Sequence, residues 1–208
     1  MATGHGHLEV LQWLRTNGCP WDVMTCMYAA KGGHLEVLQW LHANGCQWDA
    51  HTCSSAAEGG HLEVLQWLRA NGCPWEVVAR ERARTNGCPW NKWTCAAAAE
   101  GGHLEVLQWL RANGCPWNVS TCPNAATGGH LEVLQWLHAN GCPWIKKTCS
   151  WAAMGGHLEV LQRKHVPQRG DGRAPRGAAT NGCPWDADTF RMAACGGHLE
   201  MLQWAGTN

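Results

Sequence analysis

Residues 25–51 read TCMYAAKGGHLEVLQWLHANGCQWDAH, and versions of this 27-residue unit recur along the chain of 208 residues. Each version contains the run Gly-His-Leu-Glu. The histidines of its seven copies are His7, His34, His61, His103, His130, His157 and His198. Within the first three copies, and again within the next three, these histidines are 27 residues apart. A fixed period of this size is typical of a solenoid, in which each thin unit buries its apolar face against its neighbours.

The unit has the pattern of two short helices. Apolar residues recur at three- and four-residue spacings over 35–41, which predicts an amphipathic second helix. Gly45 follows that helix, and glycine accepts the left-handed conformation that ends helices. Residues 25–30 predict a first helix, with Thr25 as its N-cap. Each unit is therefore predicted to be helix, turn, helix and loop.

Two other repeat classes fit the pattern less well. A leucine-rich repeat has a compatible period of about 20 to 29 residues, but its strand needs alternating leucines. Leu35, Leu38 and Leu41 are instead spaced by threes. A tetratricopeptide unit needs about 34 residues and longer helices. The helical interpretation is preferred, and the predicted fold class is all-α.

Residues 25–41 resemble the ankyrin repeat. The family pattern Thr-Pro-Leu-His-x-Ala-Ala-x-x-Gly-His is echoed by TCMYAAKGGH at 25–34, and the GHLEV run is also typical of the family. Cys26 departs from the pattern by replacing its proline, and Cys-Pro-Trp stands where the family usually has Ala-Asp-Val-Asn. The loop after Asn-Gly is also shorter than the family's β-hairpin finger. The resemblance implies a helix-turn-helix repeat solenoid of ankyrin type with shortened inter-repeat loops. It also implies a non-catalytic protein-protein interaction module, a scaffold or adaptor without a cofactor.

Two departures from the period divide the predicted array. One spacing between successive repeat histidines lengthens to 42 residues, which indicates a truncated repeat at 76–93. Residues 163–180 form a basic insert rich in glycine and proline, and we expect it to be disordered. Ankyrin-like repeats are predicted at 1–75, where the first is partial, and at 94–162, with a partial repeat at 181–208. The interruptions keep open the alternative of a non-functional fragment of an expanded repeat family.

Cysteine and histidine raise a second alternative, a metal-binding repeat array. Each full unit offers Cys-x6-Cys-x7-His, as in Cys19, Cys26 and His34. Structural zinc sites usually pair their ligands at C-x2–4-C, and the sequence contains no C-x-x-C. We therefore predict no metal site and assign the cysteines to the repeat core as small buried thiols. The repeat histidine is assigned a structural hydrogen bond to the loop of the next layer.

The thirteen cysteines are expected to be reduced. A ladder of disulfides between equivalent residues, such as Cys19 and Cys46, is disfavoured because packed helices lie about 8 to 10 Å apart. Bridged Cα atoms are only about 4.4 to 6.8 Å apart. The odd number of cysteines and the lack of a secretory signal at the start of the chain also favour reduced thiols. We expect an intracellular protein in the cytoplasm.

Composition and motifs argue against several function classes. The formal net charge is zero, which disfavours a nucleic-acid partner. No apolar run approaches the roughly 18 residues that span a bilayer. The sequence has no phosphate-binding glycine loop with lysine, no H-E-x-x-H and no G-x-S-x-G. We predict neither enzymatic activity nor a small-molecule substrate.

Positions that differ between units are the places where recognition can be encoded. They lie in the turn before the repeat threonine and on the first helix, which together form the concave face in the arrangement that the chain resembles. An unidentified protein is the expected partner. The predicted partner-binding residues are Met24, Tyr28, His51, Trp93, Ser120, Asn124, Lys147 and Trp151. The alternative is that these positions are unconstrained and merely face solvent.

Overall fold

The structure, a computed structural model, describes residues 5–73, 93–162 and 186–207. Every regular element within these ranges is a helix. The first helices of the repeats are α2 (Val23–Lys31), α4 (Ala50–Glu58), α6 (Thr94–Glu100), α8 (Thr121–Thr127), α10 (Lys146–Met154) and α12 (Ala187–Cys195). The second helices are α1 (Leu8–Thr16), α3 (Leu35–Ala43), α5 (Leu62–Ala70), α7 (Leu104–Ala112), α9 (Leu131–Ala139), α11 (Leu158–Gln162) and α13 (Leu199–Thr207). The predicted all-α helix-turn-helix repeat is confirmed.

The first helix begins earlier than predicted, because aspartate provides its cap. Asp22 is the N-cap of α2, and its carboxylate accepts a hydrogen bond of 3.2 Å from the backbone N–H of Thr25. The Thr25 hydroxyl in turn accepts one of 3.3 Å from the backbone N–H of Asp22. This reciprocal pair satisfies two donors that the helix itself leaves without partners. The prediction of Thr25 as N-cap is wrong, since Thr25 lies three residues inside.

The Asn-Gly pair ends the second helix as predicted. Gly45 has a φ of 78°, in the left-handed region. The backbone N–H of Cys46 donates to the carbonyl of Leu41 over 2.9 Å, and that of Gly45 donates to His42 over 3.0 Å. These two bonds form a Schellman motif, which closes the helix and turns the chain at once. The turn fixes where Cys46 lies.

The core lies between the two helices of each repeat. Leu38 and Leu41 on α3 are fully buried, as are Ala29 and Ala30 on α2, which contacts α3. Burial of one leucine side chain contributes about 1.5 to 3 kcal/mol. The small alanines allow neighbouring first helices to approach closely. The predicted apolar stripe is confirmed over 35–41.

The structure falls into two compact units, residues 1–118 and 119–208. In the first unit α2 packs on α4, and α4 packs on α6. In the second unit α8 packs on α10, and α10 packs on α12. Helices on the two sides of residues 74–92, and of residues 163–185, are therefore direct neighbours in the stack. The predicted insert at 163–180 and most of the predicted truncated repeat at 76–93 lie outside the described residues.

Candidate functional site

A histidine bridge joins consecutive repeats. The ring Nε2 of His61 donates to the backbone carbonyl of Lys31 over 3.0 Å. Lys31 is the last residue of α2, so its carbonyl has no partner within the helix. A carbonyl only accepts, which places the proton on Nε2. The equivalent pairs are His103 with Glu58, His157 with Thr127 and His198 with Met154, each at 2.8 Å. The predicted structural role is confirmed, although the acceptor belongs to the preceding layer and not to the next.

The Gly-Gly before the repeat histidine leaves room for this bridge. A Cβ at Gly59 would collide with the Lys31 carbonyl oxygen and would lie 2.6 Å from Cδ2 of His61. A Cβ at Gly60 would lie 2.6 Å from Cε1 of the His103 ring, in the following layer. Both glycines therefore hold positions where a larger residue would push two repeats apart.

An ion pair adds to the contact between layers in the first unit. The Lys31 ammonium lies 2.6 Å from the Glu58 carboxylate, and both side chains remain partly exposed. Exposed pairs of this kind contribute about 0 to 1 kcal/mol. The stack therefore depends mainly on apolar burial and on the histidine bridges.

The sequence-predicted residues of the first unit lie on the first-helix side. Met24 is 41 % exposed and Tyr28 is 48 % exposed, and both lie on α2 four residues apart, on one face. His51 is exposed on α4, and Trp93, which is 49 % exposed, is the N-cap of α6. The packing order α2, α4, α6 therefore places all four on three neighbouring helices.

A shallow cleft of about 250 Å³ opens between the starts of α2 and α4. Its lining residues are Val23, Met24, Met27, Asp49 and His51. The structure thus brings two predicted residues, Met24 and His51, to one concavity. Sequence reasoning did not select the other three, because they surround the cleft only once α2 and α4 pack side by side.

The predicted residues of the second unit lie on α8 and α10. Lys147 is exposed and Trp151 is partly exposed, one helical turn apart on α10. Ser120, the N-cap of α8, and Asn124 are partly exposed, and the Asn124 N–H donates to the Ser120 carbonyl over 2.8 Å. Partner binding at these residues, and at those of the first unit, stays a prediction.

The tryptophans pack between layers on the second-helix side. Trp21 meets Trp40 edge to face, with ring centroids 5.5 Å apart, and Trp48 meets Trp67 in the same way at 5.3 Å. His42 stacks on Trp48 at 3.9 Å. Such aromatic pairs stabilise by about 0.5 to 1.5 kcal/mol beyond their area burial. These aromatic side chains therefore serve the packing of one layer on the next.

Most of the described cysteines are buried, as predicted, but the prediction is wrong at Cys19 and Cys195, which are exposed. Cys26, Cys46, Cys53 and Cys73 each expose 3 % or less. The expectation that every cysteine is reduced is wrong at Cys149, which is disulfide-bonded. Among residues 5–73, 93–162 and 186–207, no group of three or more His, Cys, Asp or Glu is arranged to hold a metal ion.

Comparison with known proteins identifies the repeat. Residues 26–121 match a family model described as ankyrin repeats in three copies. These repeats belong to the ankyrin family. The crystal structure of the human ASB11 ankyrin repeat domain is similar, with a TM-score of 0.52 and 18 % identity, over 85 % of this chain and 91 % of that one. Identity at this level supports the ankyrin fold alone. No curated protein matches the chain.

The ankyrin assignment explains the shared architecture of the stacked helix pairs. Ankyrin repeats are generally protein-protein interaction modules. No helix in the described part of the chain is both long and apolar enough to cross a membrane.

Proposed function

We propose that this ankyrin array is a non-catalytic scaffold or adaptor that binds another protein in the cytoplasm through its first-helix surface. In the first unit we define this surface by Met24, Tyr28, His51 and Trp93. The observation that carries the proposal is the exposure of three large apolar or aromatic side chains, two on α2 and one at the start of α6, at positions that vary between repeats.

The chemistry of these side chains supports protein binding. Aromatic residues and methionine are enriched in protein interfaces, and buried aromatic anchors often provide most of the binding free energy. Tyr28 adds a hydroxyl that can hydrogen-bond at the edge of an interface. These side chains gain apolar burial only when another surface covers them.

The cleft beside Met24 offers a place for one apolar side chain of the partner. Val23, Met24 and Met27 supply an apolar lining, and Asp49 and His51 supply polar atoms. The Asp49 carboxylate already accepts from the backbone N–H groups of His51 and Thr52, which holds it in place. We expect an aliphatic or aromatic partner residue in the cleft, with a polar neighbour contacting His51.

The second unit offers its own candidate surface on α8 and α10. Lys147 and Trp151 combine a cation with a partly exposed indole one helical turn away. We propose that this surface also contacts protein and prefers an acidic segment, because the lysine ammonium attracts carboxylates. Two separate surfaces on one chain are the basis for the scaffold role.

Site-specific photo-crosslinking in a native extract tests the proposal. A benzophenone amino acid is placed at Tyr28 or at His51, and matched controls carry it at Gln39 or Gln66, which are exposed on the second helices α3 and α5. We expect one and the same protein to be crosslinked from both first-helix positions and from neither control. Equal labelling from all four positions would indicate non-specific contact and would contradict the proposal.

Once the partner is identified, substitutions measure how much Met24 and Tyr28 contribute to its affinity. We expect the double change Met24→Ala and Tyr28→Ala to weaken binding by at least about tenfold, since truncation of a central anchor costs about 2 kcal/mol or more. Gln39→Ala is the control and should leave the affinity unchanged. An unchanged circular dichroism spectrum would show that the double variant stays folded.

A further inference from the structure

Three repeats each contain two buried thiols whose sulfur atoms are in contact. The first thiol lies in the first helix, and the second lies in the turn after the second helix, twenty residues later. The sulfur-to-sulfur distances are 3.2 Å for Cys26 and Cys46, 3.1 Å for Cys53 and Cys73, and 2.7 Å for Cys122 and Cys142. The pairing recurs in both compact units, so it is a property of the repeat.

The local fold of the repeat makes this pairing. The Schellman turn holds the backbone of Cys46 through its 2.9 Å hydrogen bond to Leu41, and the Cys46 sulfur lies 3.6 Å from the carbonyl of Asp22. Cys26 lies one turn inside the helix that Asp22 caps, and its side chain is fully buried. The two sulfurs therefore join the start of the first helix to the turn that ends the second.

The short distances favour a covalent bond over a shared metal ion. Two thiolates on tetrahedral zinc, at about 2.3 Å each, are about 3.8 Å apart. The sulfurs in this chain are already closer than that, and no third ligand joins them among the described residues. A disulfide requires about 2.05 Å, so closure needs a movement of only about 1 Å.

A fourth repeat supplies an independent observation. Cys149 follows the repeat threonine Thr148, as Cys26 follows Thr25 and Cys122 follows Thr121. Cys149 is disulfide-bonded. A cysteine at the same repeat position therefore forms a disulfide in this chain.

We propose that the pairs Cys26/Cys46, Cys53/Cys73 and Cys122/Cys142 are sites of reversible disulfide formation. Each disulfide links the first helix of a repeat to the turn after the second helix of the same repeat. Hydrogen peroxide is the oxidant class that is small enough to reach these thiols. The Cys46 sulfur attacks one peroxide oxygen, the O–O bond breaks, and sulfenic acid and water form. The Cys26 sulfur then attacks the Cys46 sulfur, the S–O bond breaks, and the hydroxyl leaves as water with the Cys26 proton. Two thiols lose two electrons in total, and one peroxide becomes two waters.

The environment makes Cys46 the first of the pair to react. The Cys46 thiol accepts a hydrogen bond from Cys26, which lowers the pKa of Cys46. The same hydrogen bond, together with burial, raises the pKa of Cys26. The thiolate is the nucleophile, and Cys46 also retains 3 % exposure where Cys26 has none. A dithiol reductant reverses the reaction by thiol-disulfide exchange.

Oxidation is expected to stabilise the array without changing its fold. Each disulfide closes a twenty-residue loop and restricts the unfolded chain. The midpoint of thermal unfolding should therefore rise by more than about 10 °C when all three pairs close. Protein binding by the first-helix surface does not depend on this chemistry.

Peptide mapping of the full chain tests the proposal. The exposed residues Cys19 and Cys195 are replaced by serine, so that bonds between molecules are avoided. The reduced, folded protein is treated with hydrogen peroxide, the remaining thiols are blocked with N-ethylmaleimide, and a non-reducing digest is analysed by mass spectrometry. We expect linked peptides for the three named pairs, each lighter by two hydrogens and each restored to thiols by dithiothreitol.

A matched variant and two outcomes make the test decisive. Cys46→Ala should remove the linkage of Cys26 alone. The linkage between Cys53 and Cys73 and the linkage between Cys122 and Cys142 should persist, and the helical circular dichroism signal should be retained. The peroxide treatment lasts as long as full oxidation of Cys19 takes in the unchanged chain. If the thiols of the three pairs are then still unlinked and blocked by N-ethylmaleimide, the proposal is overturned. Mixed linkages between pairs, or linkage only with loss of the helical signal, would also overturn it.

Discussion

Gly59→Ala tests the close approach of two repeats. Gly59 has a φ of −78°, which alanine adopts without strain. If no neighbour were near, the change would stabilise the protein by about 0.4 to 1 kcal/mol, because alanine restricts the unfolded chain. In this fold the new methyl group collides with the Lys31 carbonyl and with the His61 ring. We therefore expect Gly59→Ala to destabilise the protein.

The size of the effect follows from two losses. Forcing a methyl group into a packed contact costs about 1 to 3 kcal/mol. Loss of the hydrogen bond from His61 to Lys31 costs about 0.5 to 1.5 kcal/mol more. After the gain from the unfolded chain is subtracted, we expect a net loss of about 1 to 4 kcal/mol. For a chain of this length the unfolding midpoint should fall by roughly 3 to 12 °C.

Thermal and urea unfolding, followed by circular dichroism, measure the change, and a double-mutant cycle with His61→Ala assigns its cause. Both changes break the same hydrogen bond, so their effects should fall short of additivity by about 0.5 to 1.5 kcal/mol. Gly45→Ala is the control: nothing lies within 4 Å of its Cβ, and its φ of 78° alone costs about 1 to 2 kcal/mol. Its effect should add to that of His61→Ala. A neutral or stabilising Gly59→Ala would show that the two repeats do not approach this closely.

Two further predictions concern the core and a helix cap. Leu65→Ala empties a fully buried site on α5 and should cost about 2 to 5 kcal/mol in urea unfolding, whereas the exposed neighbour change Gln66→Ala should stay within about 0.5 kcal/mol. A loss below about 1 kcal/mol at Leu65 would contradict the described core. The backbone N–H and hydroxyl of Thr189 donate to Asp186 and lower the pKa of its carboxyl. The cap should therefore stabilise α12 above the ordinary aspartate pKa and lose this effect as the pH falls through the lowered value. Amide exchange in α12 should show that acid-induced loss in the parent chain and not in Asp186→Ala; equal pH dependence in both would be the contrary result.

The sequence was sufficient for the helices, and the reason is their local chemistry. The leucine spacing over 35–41 and the glycine at Gly45 determine where a helix lies and where it ends, without reference to distant residues. The cap was assigned to the wrong residue because Asp22 and Thr25 are both good caps. Only the reciprocal hydrogen bonds of the folded chain show that Asp22 is the N-cap.

Contacts between residues that are far apart in the chain could not be predicted from the spacing of residues in the sequence. The pairing of Cys26 with Cys46 spans twenty residues and depends on how the second helix folds back, whereas the sequence drew attention to Cys19, which lies near Cys26 in the chain. Met24 and Tyr28 were predictable as variable positions, although Met24 was placed in the turn and lies on α2 with Tyr28. The cleft was not predictable, because two of its five lining residues, Asp49 and His51, come from the start of the next repeat's first helix.

The repeats from α2 to α6 form one stack, which brings Met24, His51 and Trp93 to one side. The sequence Asn-Gly-Cys-Pro-Trp occurs at 71–75 and again at 86–90, so deletion of residues 76–90 restores the 27-residue period. The most direct measurement is amide hydrogen exchange along α4 and α6 in the intact and deleted chains. We expect equal protection, because α4 already packs on α6 and the Glu58 carbonyl already accepts from His103. Loss of protection in both helices on deletion would contradict this expectation.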